Sequence, residues 1–394
     1  MLHSIISAMP IMMAIMASFV ATDLYLPAVP FLPAALNGSA IEAQDTLAVF
    51  AGTFALGQLV FGALGDRYDR KALVVWATVA FAVASICCAF AQSMQMLIYM
   101  RGIQGFTAAA AAAVAPAILR GFGDELHVIR LLSALTSIEA IAPAIAPIAG
   151  VWLVATFGWS STFYVIAVLA LGAVIWMSKV KVSAIQLDGA QPLWNGYIRL
   201  LGNRRFNGYA WSQALGFAGL MTFIFSSPYL IVTHMGGTTG DFATQQVILV
   251  VIYVVTANLA APMVGRIGTD AILMVGCVAQ MIGAGVFVAV VVVGDVAPLA
   301  VALAVTPFVA GLGLRSGPGF TRALDVLPRY ASSASAALTF VAMALAALGT
   351  RLVATRLEQG LWPVAIVLAV MAVASFATLL LVFVPGSDSK PKET

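Results

Sequence analysis

The stretch LAVFAGTFALGQLVFGALG-DRYDRK-ALVVWATVAFAVASICCAFAQ, residues 47–92, decides the fold class. Two uncharged runs, 47–65 and 72–92, flank a six-residue segment carrying Asp66, Arg67, Asp69, Arg70 and Lys71. A helix needs about 20 apolar residues to cross the hydrocarbon core of a bilayer, and each run has that length. The pattern predicts two antiparallel spanning helices joined by a short charged turn in water.

Working outward, the same pattern fills the chain. Apolar windows lie at 4–28, 47–65, 72–92, 94–118, 128–153 and 160–178, then at 208–232, 243–264, 270–294, 297–321, 332–355 and 361–384. Over 394 residues the composition is 62% hydrophobic and 9% charged, where a soluble domain carries about a quarter charged. The expected fold is an all-α membrane protein of twelve transmembrane helices in two six-helix halves. The longest polar stretch sets the boundaries: a first half at 1–178, a cytoplasmic linker at 179–206 and a second half at 207–394. Gly65-Asp66-Arg67 after the second window is echoed by Gly265-Arg266 after the eighth. The first window does not read as a cleaved signal peptide, because no Lys or Arg precedes it and Asp23, Pro27, Pro30 and Pro33 replace a cleavage region.

Basic residues orient the chain. With twelve spans both termini share one side, and fifteen of the nineteen Lys and Arg residues fall there. Only Arg351 and Arg356 fall on the other side, while Arg101 and Arg315 lie within spans. The positive-inside rule then places both termini in the cytoplasm.

Several functions are excluded. The net charge of +3 comes without a basic tract suited to nucleic acid. Cys87, Cys88 and Cys277 have no CxxC spacing, and His3, His127 and His234 fall near span ends, so neither a metal nor a cofactor is expected. No Walker lysine motif is present, and Gly311-Leu312-Gly313 lies inside an apolar span without a preceding strand. No paired catalytic carboxylates or Ser/His arrangement points to an enzyme.

Ionisable groups inside spans are the informative ones, since each costs at least ~2.5–3.5 kcal/mol at a helix centre. Asp23 stands before Tyr25-Leu26-Pro27, where prolines loosen the helix, and reads as a proton or cation site lining a cavity. Arg101 has Gln104 one turn later on nearly the same face, and an ion pair with Asp23 is the expectation. Glu139 lies mid-span with Pro143 and Pro147 at successive i,i+4 positions, so it is protonated, paired or facing a wet cavity. Arg315, closer to the basic end, reads equally as a snorkelling side chain. In the loop, Asp66 and its arginines are candidates for a charge network that forms in one state and breaks in another.

These segments resemble the major facilitator superfamily, in particular its twelve-helix drug:proton antiporters and their bicyclomycin-resistance (Bcr/CflA) branch. Gly62-x-x-Gly65-Asp66-Arg67-x-x-Arg70-Lys71 is similar to the cytoplasmic gating signature, with Asp69 where glycine is usual. Asp23-x-Tyr25-Leu26-Pro27 resembles the first-helix motif of the drug exporters, and Arg101-x-x-Gln104-Gly105 the fourth-helix motif for proton coupling. Pro143, Pro147 and Gly150 resemble the fifth-helix antiporter motif, with Ala142 and Ala146 in place of glycines. The resemblance implies alternating access: the halves rock around a central cavity, and inward protons drive export of drugs or other amphipathic compounds across the bacterial inner membrane. Its partners are then a small-molecule substrate, protons and the lipid bilayer, with a monomer as the working unit and no nucleic acid. A second reading keeps the fold but carries one metabolite, such as an amino acid or siderophore, outward or inward.

Overall fold

A computed structural model describes residues 2–65, 67–119, 143, 145–180, 195–294, 296–327 and 331–383, and all regular elements among them are helical. Helices are what lipid demands, because each backbone N–H and C=O is satisfied within its own segment. The spanning helices are α1 (Leu2–Asp23), α2 (Ala40–Gly65), α3 (Arg70–Ala89), α4 (Met94–Leu119), α5 (Ile145–Phe157), α6 (Ser161–Lys179), α7 (Arg204–Tyr229), α8 (Thr239–Ile267), α9 (Thr269–Val293), α10 (Pro298–Asp325), α11 (Ala331–Ala354) and α12 (Trp362–Phe383). Eleven are long and apolar enough to cross a membrane, and the described part of α5 is a shorter apolar helix.

Two windows differ from expectation. The first does not run as one helix to residue 28: it leaves α geometry after Asp23, passes through a 3-10 turn at Leu26–Phe31 and ends in a short helix at Leu32–Ala35. The proline rings there remove backbone donors. The second is α7, which begins at Arg204 inside the polar stretch and passes into a π-helical turn at Leu230–His234. Within that polar stretch, Asn195–Leu201 is also helical.

The helix ends are written in local chemistry. Ser39 and Glu42 open α2 with a reciprocal cap: the Ser39 N–H donates to Glu42 Oε2 at 2.7 Å, and the Glu42 N–H donates to Ser39 Oγ at 3.2 Å. Thr238 and Asp241 open α8 in the same way, at 2.7 and 3.2 Å. Such boxes satisfy donors that the first turn leaves orphaned. At the α8–α9 joint a single residue, Gly268 at φ +85°, reverses the chain, a conformation glycine adopts without steric cost.

Packing repeats six helices apart. In the first half α2 and α3 pack on α4, α3 on α6, and α1 on α4 and α6. In the second, α8 and α9 pack on α10, α9 on α12, and α7 on α10 and α12. Each pairing has its counterpart, which makes the two halves pseudo-symmetric. They meet along α2 and α11, and where the 3-10 turn after α1 touches α7. The α2–α11 seam is lined by small residues: a β-carbon on Gly52 would lie 3.7 Å from Ala347, and one on Gly62 4.0 Å from Ala336. Between membrane helices such small faces allow close van der Waals contact.

Candidate functional site

The break in α1 organises the site. Beyond Asp23 the backbone tightens, with the Tyr25 N–H donating to Thr22 O at 3.1 Å and the Ala28 N–H to Tyr25 O at 2.9 Å. This turns Asp23 and Tyr25 into different surroundings although they are two residues apart. Asp23 is half-buried and has no hydrogen-bond or ion-pair partner among the described residues. Tyr25 is fully buried, and its hydroxyl lies 2.7 Å from Thr46 Oγ1. The Thr46 hydroxyl donates to Ala43 O at 2.6 Å, so Tyr25 is the donor of the pair.

Arg101 sits behind Tyr25 in a cage of ring faces. Its guanidinium carbon lies 4.6 Å from the Tyr25 ring centroid, 4.1 Å from Phe50 and 5.9 Å from Phe163. Nη1 donates to Gln104 Oε1 at 2.5 Å, Gln104 Nε2 donates to Ser85 Oγ at 2.7 Å, and the Ser85 hydroxyl donates to Phe81 O at 2.7 Å. Arg101 and Gln104 have no solvent exposure, and Nε and Nη2 of Arg101 have no hydrogen-bond partner among the described residues. The expected ion pair between Arg101 and Asp23 is therefore not formed. The positive charge is met by ring quadrupoles and one amide oxygen, and half-buried Asp23 takes no part in the cage.

The fifth-helix residues reach the same place. A β-carbon on Gly150 would collide with Leu24 O, in the turn beside Asp23, and lie 3.1 Å from Pro27 Cγ. Glycine is what lets α5 rest directly on the broken backbone. Pro147 and Gly150 are buried and Pro143 half-buried. Glu139 lies outside the described residues.

The charged turn between α2 and α3 is also partly assembled. Asp66 lies outside the described residues, and Arg67 is exposed. Arg70 Nε donates to Gly65 O at 2.9 Å, and Lys71 Nζ to Val180 O at 2.6 Å, just past α6. Both cations sit where carbonyls are unpaired at helix C-termini. Asp69 is not in the left-handed conformation expected of a glycine substitute: at φ −56° it caps α3 by accepting the Ala72 N–H at 2.7 Å. Gly65 gives close approach to α4, where a β-carbon would sit 3.1 Å from Val114. Gly62 faces α11 across the seam.

Two features escaped the sequence reading. Arg315 does not snorkel: it is 1% exposed, and its guanidinium donates to Gln280 Oε1 at 2.7 Å, Ser375 Oγ at 2.6 Å and Ser212 Oγ at 2.5 Å. One cation thus ties α10 to α9, α12 and α7. The available signal was the set of lone polar residues in apolar runs, Ser212, Gln280 and Ser375. The second feature is an ion pair across the seam, Arg351 Nη1 to Asp45 Oδ1 at 3.0 Å.

The family model described as Major Facilitator Superfamily matches residues 11–350. The chain is 25% identical over 338 residues to the Bicyclomycin resistance protein homolog of Haemophilus influenzae, covering 84% of this chain and 85% of that one. It is 27% identical over 295 residues to Multidrug resistance protein MdtL of Escherichia coli, covering 74% and 75%. Among solved structures it superposes on an auto-inhibited POT family peptide transporter with a TM-score of 0.73, 14% identity and 99% of both chains covered. A D-xylose-proton symporter gives 0.68 and 15%, covering 94% of this chain and 97% of that one. At that identity these structures speak to the fold alone.

Proposed function

The chain belongs to the major facilitator superfamily, and from that premise we propose that this membrane transporter exports drugs or other small amphipathic compounds in exchange for protons. The observation that carries the reading is Asp23. It is a half-buried carboxylate without a partner among the described residues, set at a helix break whose other side is anchored by Tyr25, Thr46 and the caged Arg101. An anionic carboxylate near the centre of a bilayer is costly, so a group in this position binds and releases protons, or meets a cationic cargo, as its surroundings change between states. The names of the two bacterial relatives point to drug resistance and support drugs as cargo.

In this reading the protein lies in the bacterial inner membrane as a monomer, with both termini cytoplasmic. The basic residues concentrated at the 66–71 end support that orientation. Residues 179–206 then join the halves on the cytoplasmic side. Protons entering through Asp23 draw about 2.3 kcal/mol per charge per 100 mV from the voltage. Gly62, Gly65, Asp66, Arg67, Arg70 and Lys71 steady the cytoplasmic ends of α2 and α3 as the halves rock, and Glu139 is a second candidate for meeting cations.

The test is Asp23→Asn, which keeps the shape and removes the titratable group. In proteoliposomes under an imposed pH gradient the variant should lose gradient-driven export by at least tenfold, while folded yield stays at the parent level. Export at the parent rate under the same gradient would make Asp23 a structural residue and remove the proposal's basis.

A further inference from the structure

We infer that the non-basic end of the α2–α11 seam carries an ion-pair latch, Asp45–Arg351, opposed by unpaired buried amides near the starts of α2 and α8, and that the balance between them sets how readily the transporter opens there. The inference rests on alternating access as read above. Asp45 lies on α2 one turn inside the Ser39–Glu42 cap, and Arg351 lies in the last turn of α11. Their 3.0 Å contact crosses between the halves, with the carboxylate side 20% and the guanidinium side 48% exposed. Below it the seam consists of small side chains, Ala48, Gly52 and Ala347 among them. In lipid such a seam has no hydrophobic force holding it shut, so a directional contact at its rim has leverage.

The opposing element lies in the same outer portion of the bundle. Gln44 on α2 and Gln245 on α8 are 0% and 1% exposed, and in each both amide atoms lack a hydrogen-bond partner among the described residues; the Gln246 Oε1, also buried, lacks one there too. A buried amide left unpaired is penalised relative to one in water. Three such side chains near the entrances of α2 and α8 therefore favour the state in which that end is wet. The latch favours the state in which it is closed. Neither Asp45 nor Arg351 belongs to the motifs around Asp23 and Arg101, so the device is separate from the proton site.

The experiment reads opening directly. A cysteine at Ala48, buried one turn below Asp45, is placed in a background with Cys87, Cys88 and Cys277 changed to alanine. Its labelling by a membrane-impermeant maleimide is followed from the periplasmic side. Arg351→Gln and Asp45→Asn should each raise the labelling rate about two- to fivefold, the scale of a partly exposed ion pair. The exchange of Asp45→Arg with Arg351→Asp should return it to within twofold of the parent. Gln44→Leu should move it the other way, lowering the rate about threefold. Unchanged rates in both single variants, an exchange that labels as fast as either, or faster labelling in Gln44→Leu would each overturn the latch. Transport of a cationic dye in the same vesicles separates the two readings. Labelling that responds as stated with no gradient-driven export keeps the latch and removes the antiport function. Export that proceeds while labelling ignores every variant does the reverse.

Discussion

Replacing Arg101 by lysine tests whether the cage, and not an ion pair, is what holds this cation. Lysine keeps the charge and most of the length, so an electrostatic partner such as Asp23 would be served almost as well. The structure predicts otherwise. The Arg101 guanidinium is planar, lies 4.1 and 4.6 Å from the Phe50 and Tyr25 ring centroids, and has a single acceptor, Gln104 Oε1 at 2.5 Å. An ammonium has no face to stack and three donors to satisfy, and only one acceptor is on offer. Desolvated cation–π contacts are worth up to about 2 kcal/mol each, so losing the better part of two should cost roughly 2–4 kcal/mol. For a helical half of this size that corresponds to about 4–16 °C in melting temperature. Arg101→Met makes the complementary point: it fills similar volume with no charge to desolvate, and such replacements are often tolerated, so it should melt higher than the lysine variant. The assay is thermal unfolding of the purified protein in detergent, read by size-exclusion profile at matched expression. A lysine variant as stable as the parent, or a methionine variant less stable than the lysine, would refute the cage.

Two further outcomes follow from backbone geometry. A β-carbon on Gly105 would collide with Phe50 O and lie 2.6 Å from Thr53 Oγ1, whereas on Gly102 the nearest atom is Val49 Cγ1 at 3.2 Å. Gly105→Ala should therefore cost about 1–3 kcal/mol as overpacking and visibly lower the folded yield, with Gly102→Ala affected less; equal yields would argue against the tight α2–α4 contact. At the charged turn, Asp69→Ala should cost about 1 kcal/mol by removing the α3 cap and Asp69→Gly only a few tenths. Since φ here is −56°, a glycine variant that melts above the parent would show that the position needs left-handed backbone after all.

Much of the fold was legible because lipid leaves few options. Among the described residues, windows of apolar residues long enough to cross became helices. Most ends moved by four residues or fewer, but the start of α2 moved by seven and the end of α1 by five, since hydropathy marks span centres well and caps poorly. Ser39 and Thr238 were the readable cap signals that set the true starts of α2 and α8. The end of α1 was harder: a proline cluster says that a helix changes, but not that it continues as a 3-10 turn. Around the break in α1, the sequence marked residues that lie together but not the contacts they make. Asp23, Tyr25 and Gly150 do gather at the break, with Arg101 and Gln104 behind Tyr25, yet the cage of Arg101 is completed by Phe50 and Phe163, residues with no polar mark in the sequence. Arg315 misled for a related reason. Its acceptors come from three other helices, and seen along one helix it looks close enough to the basic end to reach water.

The repeated helix pairings coexist with buried cations that do not repeat. Arg101 stands seven residues into α4 and Arg315 seventeen residues into α10, in helices that occupy matching places in the two halves. Gly105 meets Phe50 O and Thr53 Oγ1 on α2 as Gly313 meets Tyr253 O and Thr256 Oγ1 on α8, so the place in α10 that mirrors Arg101 is held by Val309, fully buried. Arg315 is displaced from that place by six residues, about 9 Å along the axis, between one and two turns. A duplicated scaffold thus kept its helix contacts while each copy composed its own polar interior, one around ring faces and the other around hydroxyls and an amide. Folding one half onto the other therefore locates helices in this protein, but it cannot transfer the role of a charged side chain from one half to its mirror position.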